Sequence, residues 1–236
     1  MIYVLGDIHG FSGELDWALE KIEADGGPDA RIVFLGDLVD RGPDARGVIQ
    51  RLIDGIAAGR DWTVLKGNHD RMMQWFLTRE IVHDRNIRSG ISWLHDNVGG
   101  RTTLGSYGVE GLDRPLSELR RDALEAVPQS HVDFLGSLRL SHDTEDVFFC
   151  HAGVRPGVPL TAQVEDDLLW IRTPFLEHDA PFEKLVVHGH TALEAPMRYP
   201  NRINMDGGTG YGRKLWPLVL EGTRGWLLTR HGRVEI

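Results

Sequence analysis

The sequence predicts an α/β fold that opens on a parallel sheet. Three observations carry that prediction. Short apolar runs alternate with helix-patterned segments through the first third of the chain. Each of these runs ends on a glycine followed by a polar residue. Further apolar runs return after a long helical stretch. Strands separated by helix-length segments need crossover connections, the mark of parallel pairing.

Taken in order, Ile2 to Leu5 is the first strand and stops at Gly6-Asp7. Leu15, Ala18, Leu19 and Ile22 then recur at helical spacing, and Gly26-Gly27 ends the helix. Ile32 to Leu35 is a second strand, stopping at Gly36-Asp37. The segment after Pro43 is helical, with Val48, Ile49, Leu52, Ile53 and Ile56 on its apolar side. Trp62 to Leu65 is a third strand, stopping at Gly67-Asn68. Residues 69–137 read mostly as helices, with Met72, Met73, Phe76 and Leu77 forming one apolar face. Strands resume with Val147 to Cys150, Leu185 to Val187 and Arg202 to Met205, followed by His151, His188-Gly189-His190 and Asp206. A hairpin of Leu215 to Leu220 and Trp226 to Thr229 closes the pattern. With no repeat and no linker, one domain over 1–236 with a helical segment at 69–137 is the expectation.

Composition excludes some functions. The 236 residues suffice for one layered domain with a full core. A formal net charge of -9 argues against a nucleic-acid partner. It leaves an anionic substrate open, because bound metals and a few arginines invert a local field. The single cysteine, Cys150, precludes an internal disulfide and suits a reducing compartment. No run approaches the roughly 20 apolar residues of a membrane span, and no signal-peptide pattern opens the chain. A cytoplasmic protein with no membrane partner is expected.

Asp7, Asp37, Asn68, His151 and His190 each follow an apolar strand closely. Ligands bind at the carboxyl ends of strands in open α/β sheets. Carboxylate, imidazole and amide oxygen without thiolate suit Mn²⁺, Fe or Zn²⁺. Two such ions about 3.5–4 Å apart clamp a phosphoryl group. A pair needs a bridging carboxylate, and Asp37 is central in the set.

Gly6-Asp7-Ile8-His9-Gly10, Gly36-Asp37-Leu38-Val39-Asp40-Arg41-Gly42 and Gly67-Asn68-His69-Asp70 resemble three blocks of the phosphoprotein phosphatase family of calcineurin-like metallophosphoesterases. His151-Ala152-Gly153 and His188-Gly189-His190 resemble its two later histidine blocks. The likeness covers about residues 1–215 and is nearest to the bacterial and phage λ-type serine/threonine phosphatases, through Gly99 to Leu104, Ser106-Tyr107-Gly108 and His151 to Gly157. Asp206-Gly207-Gly208-Thr209 departs from their more usual Asp-Thr-Gly-Ala.

The resemblance implies a four-layer α/β/β/α sandwich with mixed β-sheets and a helical middle insertion. It implies two divalent metal ions, Mn²⁺ first with Fe or Zn²⁺ as alternatives. Asp7, His9 and Asp37 would hold one ion. Asp37, Asn68, His151 and His190 would hold the other. A metal-bridging hydroxide would attack phosphorus in line, His69 would protonate the leaving oxygen, and Asp40 would orient His69. Arg41, Asn68 and Arg172 would bind the phosphoryl oxygens; the last is drawn from Leu168-Leu169-Trp170-Ile171-Arg172. The implied substrate is a phosphorylated protein or peptide, with small phosphomonoesters beside it. Two other readings stand: a symmetrical bis(5'-nucleosyl)-tetraphosphatase, and a metal-free interaction scaffold. His188 is read as a neighbour of the site rather than a ligand. Asp70 is read as a helix cap, Asp206 as a supporting residue, Cys150 as core, and Glu165-Asp166-Asp167 as a solvated helix start.

Overall fold

A computed structural model describes residues 1–236. In chain order the elements are β1 (Ile2–Leu5), α1 (Ser12–Gly26), β2 (Ile32–Phe34), α2 (Ala45–Ala57), β3 (Trp62–Val64) and α3 (Asn68–Arg79). Then come α4 (Gly100–Ser106), α5 (Leu116–Ala126), α6 (Gln129–Ser137), β4 (Ser141–Asp143), β5 (Val147–Cys150) and α7 (Glu165–Trp170). The chain closes with β6 (Leu185–His188), β7 (Met197–Arg198), β8 (Arg202–Asn204), β9 (Leu218–Glu221), β10 (Arg224–Thr229) and β11 (Gly232–Glu235).

Two mixed sheets result. The first runs β11-β10-β9-β1-β2-β3 and the second β4-β5-β6-β8-β7. The βαβαβ start gives the parallel pairs β1–β2 and β2–β3, with Tyr3 opposite Ile32 and Val33 opposite Thr63. β9 joins the other edge of β1 antiparallel, with Val4 opposite Leu218. In the second sheet β5, β6 and β8 are parallel.

The core explains the layering. Val4, Val33, Leu35, Phe149, Val187 and Ile203 belong to one buried cluster fed by both sheets. The outer face of the first sheet packs on α1, α2 and the helices of the middle segment through a larger cluster including Phe34, Leu52, Phe76 and Trp93. The second sheet is covered by α7 and its flanking loops, with Phe148, Leu168 and Phe175 between. This is the expected α/β/β/α order. Strands buried on both faces read as continuous apolar runs, which is why the sequence displays them so plainly.

Three local expectations change. Ile56 lies at the last turn of α2 and is 41% exposed, so the buried stripe stops at Leu52 with Ile53 half-buried. Residues 80–99 form turns and loops rather than helix. The closing hairpin has a third strand, β11, whose residues are all exposed. Without an apolar alternation it left no mark in the sequence.

Candidate metal centre

The site lies where the strands of both sheets end. The turns there are strained. His9, Asp37, Asp40, Arg41 and His190 all take positive φ, between 51° and 73°. Such conformations cost on the order of 1–3 kcal/mol each and persist only where the surroundings enforce them. Two glycines show how closely the backbone presses on the carboxylates. A Cβ on Gly67 would stand 2.1 Å from Asp37 Oδ1, and one on Gly189 2.1 Å from Asp7 Oδ1.

The six expected ligands converge. Asp7, His9, Asp37, Asn68, His151 and His190 are all buried or nearly so. Asp37 belongs to both clusters of potential ligand atoms, one with His9 and His69 and one with His151 and His190. His9 Nε2 lies 3.6 Å from Asp37 Oδ2 and 4.0 Å from Asp7 Oδ2. His151 Nε2 lies 3.4 Å from Asp37 Oδ1. Asn68 Oδ1 is 2.9 Å from both His151 Nε2 and His190 Nδ1.

Two of these rings are fixed in orientation through Nδ1. His9 Nδ1–H donates to the Val39 carbonyl at 2.8 Å, and His151 Nδ1–H to that of Leu35 at 2.9 Å. Each ring thereby turns Nε2 toward the carboxylates, as metal-ligating histidines do. Burial, then the Arg41 guanidinium, pushes His9 well below the usual histidine range. Burial likewise holds His190 well below it, with His151 and Arg172 adding to the effect. Burial opposes charge on His151 too, but Asp37 and Asp7 outweigh it and push that ring up to about 9. Burial raises the Asp7 carboxyl well above the carboxylate range, and Asp206 adds to the shift. Burial also works against an ionised Asp37, yet His151, His69 and His9 outweigh it and hold the carboxyl well below that range. His190 Nε2 is buried with no partner at all. An unpaired buried nitrogen beside packed carboxylates fits a divalent cation centre, and the oxygen–nitrogen donor set suits Mn²⁺, Fe or Zn²⁺.

Beside this centre, His69 Nδ1–H donates to Asp40 Oδ2 at 2.6 Å. Asp40 is fully buried and accepts two further bonds. Trp93 Nε1–H donates at 2.9 Å and the Thr103 hydroxyl at 2.7 Å, while the Asp40 amide donates back to Thr103 Oγ1 at 2.8 Å. Sequence reasoning missed both donors. Thr103 sits in the Gly99–Leu104 block already noted, but Trp93 lies in an irregular segment with no local signal.

Arg41 reaches His9 Nε2 at 3.0 Å and His69 Nε2 at 3.4 Å. Arg172 donates to Thr191 Oγ1 at 3.3 Å and to the His190 carbonyl at 3.4 Å. Both arginines line a cleft of about 330 Å³ with Asp7, His9, Asp37, Asn68, His69 and His190. Asp206 also lines it, its carboxylate accepting from the Gly208 amide at 2.9 Å. His188 is absent from the lining and packs edge-on against Phe175. Asp70 caps α3 by accepting from the Gly67 amide at 2.8 Å, and it also ties down Leu38 at 2.9 Å. Cys150 is core, and burial pushes its thiol up. The reading of Glu165-Asp166-Asp167 as solvated is corrected for two of the three. Asp166 bonds Arg71 and Arg85, and Asp167, 8% exposed, holds Arg155 at 2.5 and 2.7 Å. Their arginine partners lie far off or at no helical spacing, so the acidic run looked free.

Comparison with known proteins agrees with this geometry. The family described as calcineurin-like phosphoesterase matches residues 1–221. The chain is similar to PrpE of Anoxybacillus flavithermus, an asymmetrical bis(5'-nucleosyl)-tetraphosphatase, at 24% identity over 92% of this chain and 90% of that one. Among solved structures, one provisionally named a diadenosine tetraphosphatase superposes with a TM-score of 0.65 at 19% identity, covering 100% of this chain and 92% of that one. A cold-active protein tyrosine phosphatase superposes with a TM-score of 0.62 at 18% identity, covering 99% and 79%. The match spans nearly the whole chain and every strand end that carries a donor, and the chain belongs to the calcineurin-like metallophosphoesterases, hydrolases that work with a pair of metal ions.

Proposed function

We propose that this hydrolase cleaves dinucleoside tetraphosphates. The observation that carries the reading is the position of Tyr211. Tyr211 is 65% exposed at the cleft, and its ring centroid lies 5.0 Å from the Arg41 guanidinium. A nucleobase stacks on such a ring while the adjoining phosphate meets the arginine. The name of the full-length relative supports the same substrate and favours asymmetrical cleavage, to a nucleoside triphosphate and monophosphate.

Asp7, His9 and Asp37 would hold one ion and Asp37, Asn68, His151 and His190 the second, with Mn²⁺ the ion to try first. When bound, the metals supply Lewis acidity and an activated water. The chain's own groups do the rest. Arg41, beside His9 and His69, and Arg172, beside His190, bind phosphoryl oxygens, and their forked geometry fixes the orientation. Asp40 orients the His69 ring, whose Nε2 delivers a proton to the leaving oxygen. Acid catalysis of this kind contributes roughly 10²–10⁴-fold.

The motif blocks favour a second reading, a protein serine/threonine phosphatase, through Arg41 in the Gly36–Gly42 block. Steady-state rates on diadenosine tetraphosphate and on a phosphoserine peptide, measured side by side with Mn²⁺, separate the two. The expected result is a kcat/KM at least about a hundredfold higher for the dinucleotide, a gap of about 2.7 kcal/mol. A preference for the peptide would overturn the proposal. Chromatography of the products then distinguishes ATP plus AMP from the two ADP of symmetrical cleavage.

A further inference from the structure

Beyond the cleft lies a second concavity that the chemistry described so far does not use. It measures about 780 Å³ and shares Ile87, Trp170 and Arg172 with the cleft. The two adjoin, with Arg172 in the lining of both. Arg85, Arg88 and Arg155 line the outer part, against only Asp166 and Asp167. Four guanidiniums thus face two carboxylates, on a chain whose formal net charge is -9.

The carboxylates are already engaged. Asp167 is gripped by Arg155 through two bonds, and Asp166 is held by Arg71 and Arg85. Arg88 is exposed, and neither it nor Arg172 has an ion-pair partner, although both line the same wall. At the junction, the Trp170 indole N–H is buried and finds no acceptor in the protein. Uncompensated guanidiniums in a concave surface concentrate anions, and they recognise phosphate in particular.

We propose that this outer groove binds the part of the substrate beyond the scissile phosphate: a phosphate chain and the second nucleoside attached to it. The inference rests on the dinucleotide reading above. It adds Arg88 as the residue that grips the distal phosphates, with Trp170 as the wall beneath them. The 80–99 segment supplies Arg85 and Arg88, so this non-helical stretch would set which leaving chains the enzyme accepts.

The test uses competitive inhibition of p-nitrophenyl phosphate turnover, with free Mn²⁺ held saturating. ATP and orthophosphate are the inhibitors. In the unaltered protein ATP is expected to inhibit at about tenfold lower concentration than orthophosphate. Arg88→Ala is expected to raise the Ki for ATP about tenfold and to shift that for orthophosphate less than twofold. Arg88→Lys is expected to recover part of the ATP effect, because it keeps the charge but not the fork. Equal Ki values for ATP and orthophosphate in the unaltered protein would overturn the proposal, as would parallel shifts of both in Arg88→Ala. Turnover of diadenosine tetraphosphate is scored separately. Its absence would remove the dinucleotide function while the inhibition data still report on the groove.

Discussion

His69 and Asp40 are joined by a 2.6 Å hydrogen bond between Nδ1 and Oδ2, and the carboxylate end of that bond is completely buried. Asp40 has no freedom to turn. Trp93 and Thr103 take up its other lone pairs from a segment more than fifty positions along the chain. The second nitrogen of His69 therefore keeps a fixed aim toward Asp37 Oδ2, 4.0 Å away, and toward the cleft.

That aim predicts a dependence on the leaving group. Removing the acid matters most when the departing oxygen is basic. His69→Ala should retain both metals by elemental analysis yet lose about 10²–10⁴-fold in kcat on phenyl phosphate, with a much smaller loss on p-nitrophenyl phosphate. Trp93→Phe leaves Asp40 short of one donor and should cost about tenfold on phenyl phosphate alone. Equal losses on both esters would make Trp93 a packing residue and nothing more.

Asp37 is common to both ligand clusters, so its loss should empty the centre rather than weaken one half. Asp37→Ala is expected to bind less than one metal per chain after dialysis. Recovery of two per chain would show that some other carboxylate makes the bridge.

Arg71 is 2% exposed and holds Asp84, equally buried, through two bonds of 2.6 and 3.0 Å. It also reaches Asp166 at 2.8 Å and lies 4.6 Å from the Trp75 ring centroid. It thereby links α3, the 80–99 segment and α7. Arg71→Ala would leave the Asp84 charge buried and unpaired, which costs about 3–5 kcal/mol. Urea unfolding should register that loss, and a change below about 1 kcal/mol would contradict the assignment.

His131 is buried between Tyr107, whose hydroxyl donates to Nδ1 at 2.8 Å, and Gln50, whose Oε1 accepts from Nε2–H at 2.9 Å. These bonds require the neutral ring. Burial, then Arg46, lowers its pKa below the ordinary 6.5. The unfolded chain thus takes up a proton near pH 6.5 that the folded protein refuses. This contribution to stability is complete above that pH and is lost as the pH falls below it, until the folded ring protonates as well. Urea midpoints measured at pH 7.5 and pH 5.5 should show a smaller drop in His131→Gln than in the unaltered protein. An identical drop would place the acid sensitivity elsewhere.

The βαβαβ start, and the place of Asp7, Asp37, Asn68, His151 and His190 just past apolar strands, are legible in the sequence by itself. Both are local facts. Strands buried on two faces must be apolar throughout, and the turns that carry Asp7, Asp37 and Asn68 need their glycines within one residue. The tertiary structure decided what distant side chains do to one another. Nothing in the spacing links Trp93 to Asp40, or Arg71 and Arg85 to Asp166, because these pairs meet only once the middle segment packs against the strand ends of the first sheet and against α7. The same holds for the groove at Arg88. Its charge is visible in the sequence, but whether an arginine is paired or free depends on which carboxylates the fold brings within reach.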